Sequence, residues 1–281
     1  MAQPTAELHP WVENRPATGW LPAIDVRELW RHRELAIVFA LKDIRVRYKQ
    51  TLFGIAWAVI QPLIAALIFT VFLGRLAHVS SGGMPYAVFV YSGLSIWLYV
   101  SSAVSNSAQS LIDNRNLVTK VYFPRLLAPI AAIVPGLVDL VPALAILVVY
   151  LVVYDVTPGP ALVLLPVWIA AAAVLALAVG LWLSAMNVRY RDVRYALPFL
   201  LQVWLFGSPV VYAAALVHGA WRYVYAANPL VSVIEGFRGS VANGPAPGGL
   251  SSVLSAAVTI VLLAGGLAYF RRVEQSFADV I

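Results

Sequence analysis

Six long, nearly uncharged apolar stretches constrain the fold of this chain more than any other feature of its sequence. A helix that crosses the hydrocarbon core of a bilayer needs about 20 mainly apolar residues. The chain is 61% hydrophobic and only 11% charged, which is more apolar side chain than a soluble core of 281 residues could bury. The sequence therefore predicts an all-α membrane protein with six transmembrane helices, at residues 51–74, 85–111, 124–154, 161–187, 196–215 and 249–270.

The positions of the basic residues predict how these helices are oriented. Sixteen of the 19 Lys and Arg residues precede the first stretch, follow the last, or lie between the second and third stretches or between the fourth and fifth. The alternate loops hold only Arg75, Arg222 and Arg238. Lys and Arg concentrate on the cytoplasmic side of membrane proteins. We therefore expect both termini in the cytoplasm, and we attribute the net charge of +6 to this bias rather than to nucleic-acid binding.

A charged, periodic segment precedes the first stretch and divides the predicted chain into a tail (1–23), an amphipathic helix (24–50) and a membrane domain (51–281). Lys42, Arg45 and Lys49 lie about a quarter turn from the apolar face of the helix. That face is formed by Trp30, Ile37, Leu41, Ile44 and Tyr48. The pattern predicts a helix that lies in the membrane interface. The alternative is a cytoplasmic amphipathic helix that packs on protein.

The segment at 218–247 is too long for a simple turn and too polar to span. We expect two short helices broken at Asn228 and Pro229 that re-enter the outer leaflet, since non-helical backbone at membrane depth must be covered by protein or water. Glu235 and Arg238 are three residues apart and would share a helix face, so they could form an ion pair, either buried or exposed. The alternative for the whole segment is an extracellular loop.

Several functional motifs are absent from the sequence. It contains no GxxxxGK[ST] loop for ATP phosphates, no HExxH, no GxSxG and no cysteine. Its four histidines lack metal-ligand spacing, and no pair of acids suits glycosyl chemistry. We therefore expect no catalytic residue, no metal site and no cofactor site in this chain, which argues against a membrane enzyme.

Five segments in order resemble the permease subunits of ABC exporters for lipid-linked polysaccharides, the O-antigen, capsule and teichoic-acid types with an ABC-2 class membrane domain. Together they reach from residue 41 to residue 238. They are LKDIRVRYKQTLFGIAWAVIQPL at 41–63, NLVTKVYFPR at 116–125, NVRYRDVRYALPF at 187–199, SPVVY at 208–212 and NPLVSVIEGFR at 228–238.

The resemblance implies a homodimer that binds two copies of a separate ATPase subunit in the bacterial cytoplasmic membrane. It implies that the partner binds ATP and Mg²⁺, and that the permease exports a lipid-linked polysaccharide to the outer leaflet. An ABC permease for drugs or small lipids is the first alternative. A channel, which would conduct without an ATPase, is another.

The segment at 111–122 resembles the cytoplasmic coupling segment of that family. We expect a short helix, capped by Asp113 or Asn114, that contacts the ATPase. Its candidate contact residues are Asn116, Val118, Lys120 and Tyr122. The alternative is a basic loop that only orients the protein.

Aromatic residues in or near the stretches are candidates for a substrate path, because sugar rings present C–H faces that pack on aromatic rings. The candidates for channel lining are Phe53, Trp57, Trp204, Phe206 and Tyr212, with Trp97 nearby. The alternative is the aromatic belt that Trp and Tyr form at both membrane interfaces. Asp139, the acid inside the third stretch, should face protein or water rather than lipid, and we assign it to helix packing.

Overall fold

The computed structural model describes residues 26–49, 56–219, 221–244, 247–274 and 277, which form helices joined by turns and loops, with no strand among them. A π-helical turn, Thr70–Leu76, extends the helix Ala56–Phe69, and a 3₁₀ turn, Pro160–Leu164, leads into the helix Leu165–Arg189. The α-helices in chain order are α1 Val26–Arg31, α2 Arg33–Lys49, α3 Ala56–Phe69, α4 Tyr86–Asp113, α5 Arg115–Lys120, α6 Leu127–Ala132, α7 Val134–Val153, α8 Leu165–Arg189, α9 Val193–Phe206, α10 Trp221–Ala226, α11 Pro229–Ala242 and α12 Gly249–Val273.

Five helical segments of the described chain are long and apolar enough to cross a membrane, so the protein is a multi-pass membrane protein. They are Val59–Leu76, Tyr86–Asp113, Leu127–Val153, Pro160–Arg189 and Gly249–Val273. The fifth predicted stretch, 196–215, is different, because its helix α9 has only 14 residues and ends at Phe206. A helix of that length rises roughly 21 Å, less than the ~30 Å hydrocarbon core. The count of six spans therefore stays a prediction.

Helix α4 lies at the centre of the bundle and packs against α3, α7, α8 and α11. Its 28 residues include buried side chains on every face, such as Val88, Tyr91 and Ile96. Gly180 of α8 packs directly on α4, because an added methyl group there would collide with the side chain of Ser107. A small residue at this position lets the two helices approach each other closely.

Helix α11 is the second buried element, although it is short and comes from the segment predicted to re-enter the membrane. Every residue of α11 except Glu235 is buried, and α11 contacts α4, α8 and α12. The indole of Trp168 on α8 packs directly on Gly236. The predicted break is confirmed, since α10 ends at Ala226 and α11 begins at Pro229. The depth of α11 in the membrane stays a prediction.

Helix α2 packs on α6 through a face different from the predicted apolar one. Its buried residues are Phe39 and Ala40. Trp30, Ile37 and Leu41 of the predicted face remain exposed, Trp30 at 69%. Helix α2 therefore both packs on protein and presents apolar side chains outward, which supports its placement in the membrane interface. The predicted tail, 1–23, lies outside the described residues.

A second hydrophobic cluster joins the helix ends on the side of the bundle where most basic residues lie. It includes Phe39 of α2, Val118 of α5, Leu181 of α8 and Phe270 of α12. Phe123 packs edge-on against Phe39, with ring centroids 5.5 Å apart. We name this second cluster the cytoplasmic cluster after the orientation that the sequence predicts, and it connects α2, the segment after α4 and the end of α12 in one packed unit.

Candidate functional site

A groove of about 630 Å³ opens between α3, α4, α7 and α9, and its wall includes polar side chains. Helix α4 contributes the largest share of the polar side chains, among them Ser95, Tyr99, Ser102, Ser105 and Asn106. These positions are spaced by three or four residues or by a multiple of a turn, so they share one face of the helix. The other faces of α4 carry the apolar residues that pack in the core. The groove is therefore specified by a polar stripe on an otherwise apolar helix.

Some of these hydroxyl groups are satisfied locally and others are available to a ligand. Ser95 Oγ donates to the carbonyl oxygen of Tyr91 over 2.8 Å, the usual way a helical serine is satisfied. Tyr99 Oη is buried without a hydrogen-bond partner. Within the described chain, the side-chain amides of Gln61, Asn106 and Gln202, which also line the groove, form no hydrogen bond. The exposed amides of Gln61 and Gln202 and the partly buried amide of Asn106 are suited to bond a hydroxyl-rich ligand or water, whereas the Tyr99 hydroxyl is a buried group whose missing partner costs free energy.

Trp57 and Trp97 supply the aromatic surface of the groove. Trp57 on α3 is 52% exposed, and Trp97 on α4 is buried with one side on the groove. Trp204 lies behind Trp97 rather than on the groove wall: the two rings meet edge to face, with centroids 6.0 Å apart. Indole rings in this arrangement hold each other's orientation. The structure therefore brings Trp57 to the groove and places Trp204 as a support for Trp97.

Phe206 and Tyr212, two further lining candidates, lie at the other end of α9. Phe206 is exposed at the last turn of α9, and its carbonyl oxygen accepts a hydrogen bond of 2.8 Å from Tyr212 Oη. Tyr212 also contacts Tyr225 of α10 through their hydroxyl groups, 3.2 Å apart. Neither residue lines the groove, and Phe53 lies outside the described residues. Channel lining by this set stays a prediction.

Asn228 ties the end of α9 to the start of α11. Its Oδ1 accepts hydrogen bonds from Trp204 Nε1 at 3.0 Å and from the backbone N–H of Leu230 at 3.1 Å. Its Nδ2 donates to Gly207 O at 2.9 Å and to Ser208 Oγ at 3.0 Å. Asn228 is thus the N-cap of α11, with Pro229 in the first helical turn, as those residue types favour.

Arg238 forms no ion pair with Glu235, so neither form of the predicted pair is present. Its guanidinium donates to three backbone carbonyl oxygens, of Phe89 at 3.2 Å, Pro209 at 2.8 Å and Val210 at 3.3 Å. It also lies 3.7 Å from the centre of the Phe89 ring. These acceptors and the aromatic face satisfy a buried cation without a carboxylate. Arg238 therefore joins α4, α11 and the turn after α9.

Asp139 faces protein and lies on the groove wall. Its Oδ2 is 2.8 Å from Arg47 Nη1, and its Oδ1 accepts a hydrogen bond from Tyr48. Arg47 also donates to Ser102 Oγ on α4 over 3.2 Å. Burial, and then the bond to Asp139, raises the pKa of Tyr48 to about 12. The end of α2 is thereby fastened to α4 and α7 at one end of the groove, a partnership that the sequence pattern did not predict.

The predicted coupling segment is a short helix, α5, but its residues have two different environments. Asn116, Lys120 and Tyr122 are exposed, and Val118 is buried in the cytoplasmic cluster. Tyr122 Oη donates to Glu28 Oε1 of α1 over 3.0 Å, and burial, followed by this bond, raises its pKa. The expectation that Val118 contacts a partner protein is not supported by its 3% exposure.

The prediction that the side chain of Asp113 or Asn114 caps α5 is wrong. Asn114 occupies the N-cap position, but its side chain forms no capping bond. Its Nδ2 donates to Ser110 O over 2.8 Å, and its Oδ1 accepts from Lys42 Nζ over 2.6 Å. Asn114 instead joins α2 to the end of α4, because Lys42 is a stronger donor than the backbone N–H it displaces.

A second cavity, of about 520 Å³, lies at the other end of α7, beside the turn Pro160–Leu164. Its wall is almost entirely apolar and includes Leu147, Leu151 and Val241, with Asp155 and Thr157 at the margin. Such a wall suits an aliphatic chain. It therefore differs in chemistry from the groove, which presents amides, hydroxyls and indoles.

Comparison with known proteins identifies the family. The chain is 29% identical to the O-antigen export system permease protein RfbA of Myxococcus xanthus, over 91% of this chain and 98% of that protein. It is 27% identical to a permease of the same name from Klebsiella pneumoniae, over 88% of this chain and 95% of that protein. It is also 27% identical to the polysialic acid transport protein KpsM of Escherichia coli, over 84% of this chain and 92% of that protein. The sequence pattern of the ABC-2 type transporters matches residues 35–241, and the chain belongs to that family.

Proposed function

We propose that this chain is the membrane permease of an ABC exporter that moves a lipid-linked polysaccharide from the cytoplasmic to the outer leaflet of the bacterial cytoplasmic membrane. The groove between α3, α4, α7 and α9 carries the proposal. Polar side chains inside membrane bundles are costly unless they face partners or a water-filled path. A groove of about 630 Å³ with free amide groups and an indole face therefore indicates a path for a polar cargo.

The chemistry of the groove matches a glycan. Sugar hydroxyl groups both donate and accept hydrogen bonds, as do the amides of Asn106 and Gln202 and the hydroxyl of Tyr99. The C–H face of a pyranose packs on an indole such as Trp57 or Trp97. Stacking on aromatic rings tolerates variation along a polymer and contributes about 1–3 kcal/mol per ring for nucleic-acid bases. Several weak contacts in series allow a polymer to move, because no single site binds it tightly. The names of the relatives, exporters of O-antigen and of polysialic acid, support a polysaccharide cargo but do not specify its charge.

Energy for export comes from a separate ATPase. The sequence has no phosphate-binding loop, so the partner subunit holds ATP and Mg²⁺, and two permeases associate with two ATPases. The exposed residues Asn116 and Lys120 of α5, with Tyr122 just after it, are the contact for that partner. Val118 anchors α5 in the cytoplasmic cluster, so a displacement of α5 is transmitted to α2, α8 and α12.

The topology has six crossings, with both termini in the cytoplasm. Helix α9 is too short to cross alone, so the turn after Gly207 completes the fifth crossing. Non-helical backbone at membrane depth must be covered by protein. The side chain of Asn228 donates a hydrogen bond to the carbonyl oxygen of Gly207, and that of Arg238 donates to the carbonyl oxygens of Pro209 and Val210. The α10–α11 pair accordingly re-enters from the outer side and packs over this turn, so that its backbone is not exposed to lipid.

Export in cells tests the function. The gene with its ATPase partner is expressed in a strain that synthesises the polymer, and surface polymer is measured by extraction after impermeant labelling. The double substitution Asn106→Leu and Gln202→Leu should abolish or strongly reduce export while the complex still assembles. Normal export by that variant, with equal expression, would contradict the proposal.

A permease for drugs or small lipids is the second candidate, and the apolar cavity beside Pro160–Leu164 is the observation that favours it. Its wall lacks the amide groups that a polysaccharide needs, so we assign the groove, not this cavity, to the main cargo. Resistance to apolar drugs, or movement of fluorescent phospholipids by the purified complex without any glycan, would support the alternative.

A further inference from the structure

We propose that the groove selects a polymer of uncharged sugars and excludes polyanionic glycans. The inference rests on the proposed function, since it names the charge class of the cargo that the groove takes. It is derived from the balance of charge and of free hydrogen-bonding groups along the groove wall.

Only one pair of opposite charges lies on that wall. Among the described residues that line the groove, Arg47 and Asp139 are the charged ones, and their side chains pair at 2.8 Å. The pair is joined further to Tyr48 and Ser102, so the guanidinium already has its acceptors. The groove thus has no net charge and no free cation.

The helices that form the wall add no other charged side chain to it. Helix α4 carries no charged residue before Asp113 at its end, and α7 carries only Asp139. Helix α9 has Arg194 in its first turn, and α2 carries Lys42, Arg45 and Lys49 near Arg47, but none of these four residues lines the groove. The residues between α2 and α3, which the structure does not describe, are QTLFGI, without a charge.

The polar contacts at the outer end of α9 are between neutral groups. Tyr212 and Tyr225 bond to each other through their hydroxyl groups, and Asn228 donates to the backbone carbonyl of Gly207. Arg238, the cation nearest to them on α11, is 6% exposed and donates to three carbonyl oxygens. It is therefore not available to a passing carboxylate.

A polyanionic glycan would lose favourable hydration in such a groove without gaining a counter-charge. Transfer of an unpaired carboxylate into a low-dielectric site is strongly unfavourable, whereas a neutral hydroxyl needs only one hydrogen-bond partner. The side-chain amides of Gln61, Asn106 and Gln202 and the hydroxyl of Tyr99 are such partners.

The test uses the full permease–ATPase complex in proteoliposomes and two lipid-linked oligosaccharides of equal length, one built of neutral hexoses and one of hexuronic acids. ATP hydrolysis stimulated by each glycan and the glycan moved across the bilayer are both measured. We expect the neutral glycan to be moved about tenfold faster or more, which corresponds to roughly 1.4 kcal/mol in the barrier. Equal or faster movement of the acidic glycan would overturn the inference while leaving the proposed function in place. Movement of neither glycan would overturn the proposed function and this inference with it.

A pair of matched substitutions tests whether the groove makes the selection. Gln202→Lys places a cation on the wall and should raise the ratio of acidic to neutral transport severalfold. Gln109→Lys makes the same change on α4 at a residue that does not line the groove, and it should leave the ratio unchanged. An equal ratio in both variants and the unaltered protein would show that selection occurs elsewhere and would overturn the assignment to the groove.

Discussion

The guanidinium of Arg47, at the end of α2, contacts the carboxylate of Asp139, inside α7, at 2.8 Å. The pair fastens the interface helix to a membrane-spanning helix at the wall of the groove. It is partly buried, with 39% and 20% of the two side chains exposed. Any movement of α2 relative to the bundle must therefore break it or carry α7 along.

Breaking this pair should weaken the assembled protein. We expect Asp139→Asn to lower the free energy of unfolding by about 1–2 kcal/mol, between the values for exposed and buried pairs. Arg47→Gln should have a similar effect, and the double variant should lose less than the sum of the two. Thermal unfolding of the purified complex in detergent measures the cycle. Additive losses would mean that the two groups do not interact.

Accessibility to a membrane-impermeant thiol reagent should follow the distribution of basic residues. The chain has no cysteine, so each introduced one reports alone. Both His78 and Arg191 are exposed. In intact cells a cysteine at His78 should react with reagent added from outside, and one at Arg191 should react only after permeabilisation. The reverse pattern would mean that the orientation is inverted.

Crosslinking to the ATPase should occur from the exposed face of α5. A cysteine at Asn116 or Lys120 should crosslink to the partner, and one at Val118 should not, because Val118 lies in the cytoplasmic cluster. A bifunctional reagent and immunoblotting of both subunits provide the measurement. Efficient crosslinking from Val118 but not from Lys120 would show that α5 packs differently in the complex.

Replacing Arg238 should be severe, and replacing Glu235 should be mild. Arg238→Met removes the donor to three buried carbonyl oxygens, and each unsatisfied buried group costs about 1–3 kcal/mol. We expect little folded protein from this variant at 37 °C. Glu235→Gln serves as the matched control, since Glu235 forms no ion pair with Arg238. Comparable loss from both substitutions, measured by size-exclusion chromatography, would indicate that the carboxylate also supports Arg238.

Export should depend on Trp57 and Trp97 because their rings contact the cargo. It should depend on Trp204 because this residue holds the ring of Trp97 in place. Trp57→Ala should slow export severalfold while assembly is retained, since a stacking surface contributes about 1–3 kcal/mol. Trp204→Phe keeps an aromatic ring against Trp97 but removes the bond to Asn228, so its main effect should be on stability. Phe206→Ala is the control for an exposed aromatic residue outside the groove. Surface polymer per assembled complex is the measurement, and normal export by Trp57→Ala would contradict the aromatic path.

Local patterns in the sequence predicted the five long apolar helices and the break before α11, but not the short length of α9. Hydrophobic length predicted the spanning helices, because the bilayer thickness sets how many apolar residues a crossing needs. Asn228 and Pro229 predicted the break between α10 and α11, because a capping side chain and a residue without an N–H favour a helix start. Asp139 was expected to face protein, because an unpaired carboxylate in lipid is unfavourable. Each of these depends on neighbouring residues and on the solvent alone.

Tertiary structure decided which side chains meet. Arg47 and Asp139 are 92 positions apart, and no periodicity links them. Arg238 bonds to carbonyl oxygens of α4 and of the turn after α9, although the spacing on its own helix suggested Glu235. The groove joins residues of α3, α4, α7 and α9, and Val118 turns inward while Lys120 of the same short helix is exposed. A sequence pattern defines the faces of a helix, but the rotation and contacts of each helix in the bundle are set by close packing against all its neighbours at once.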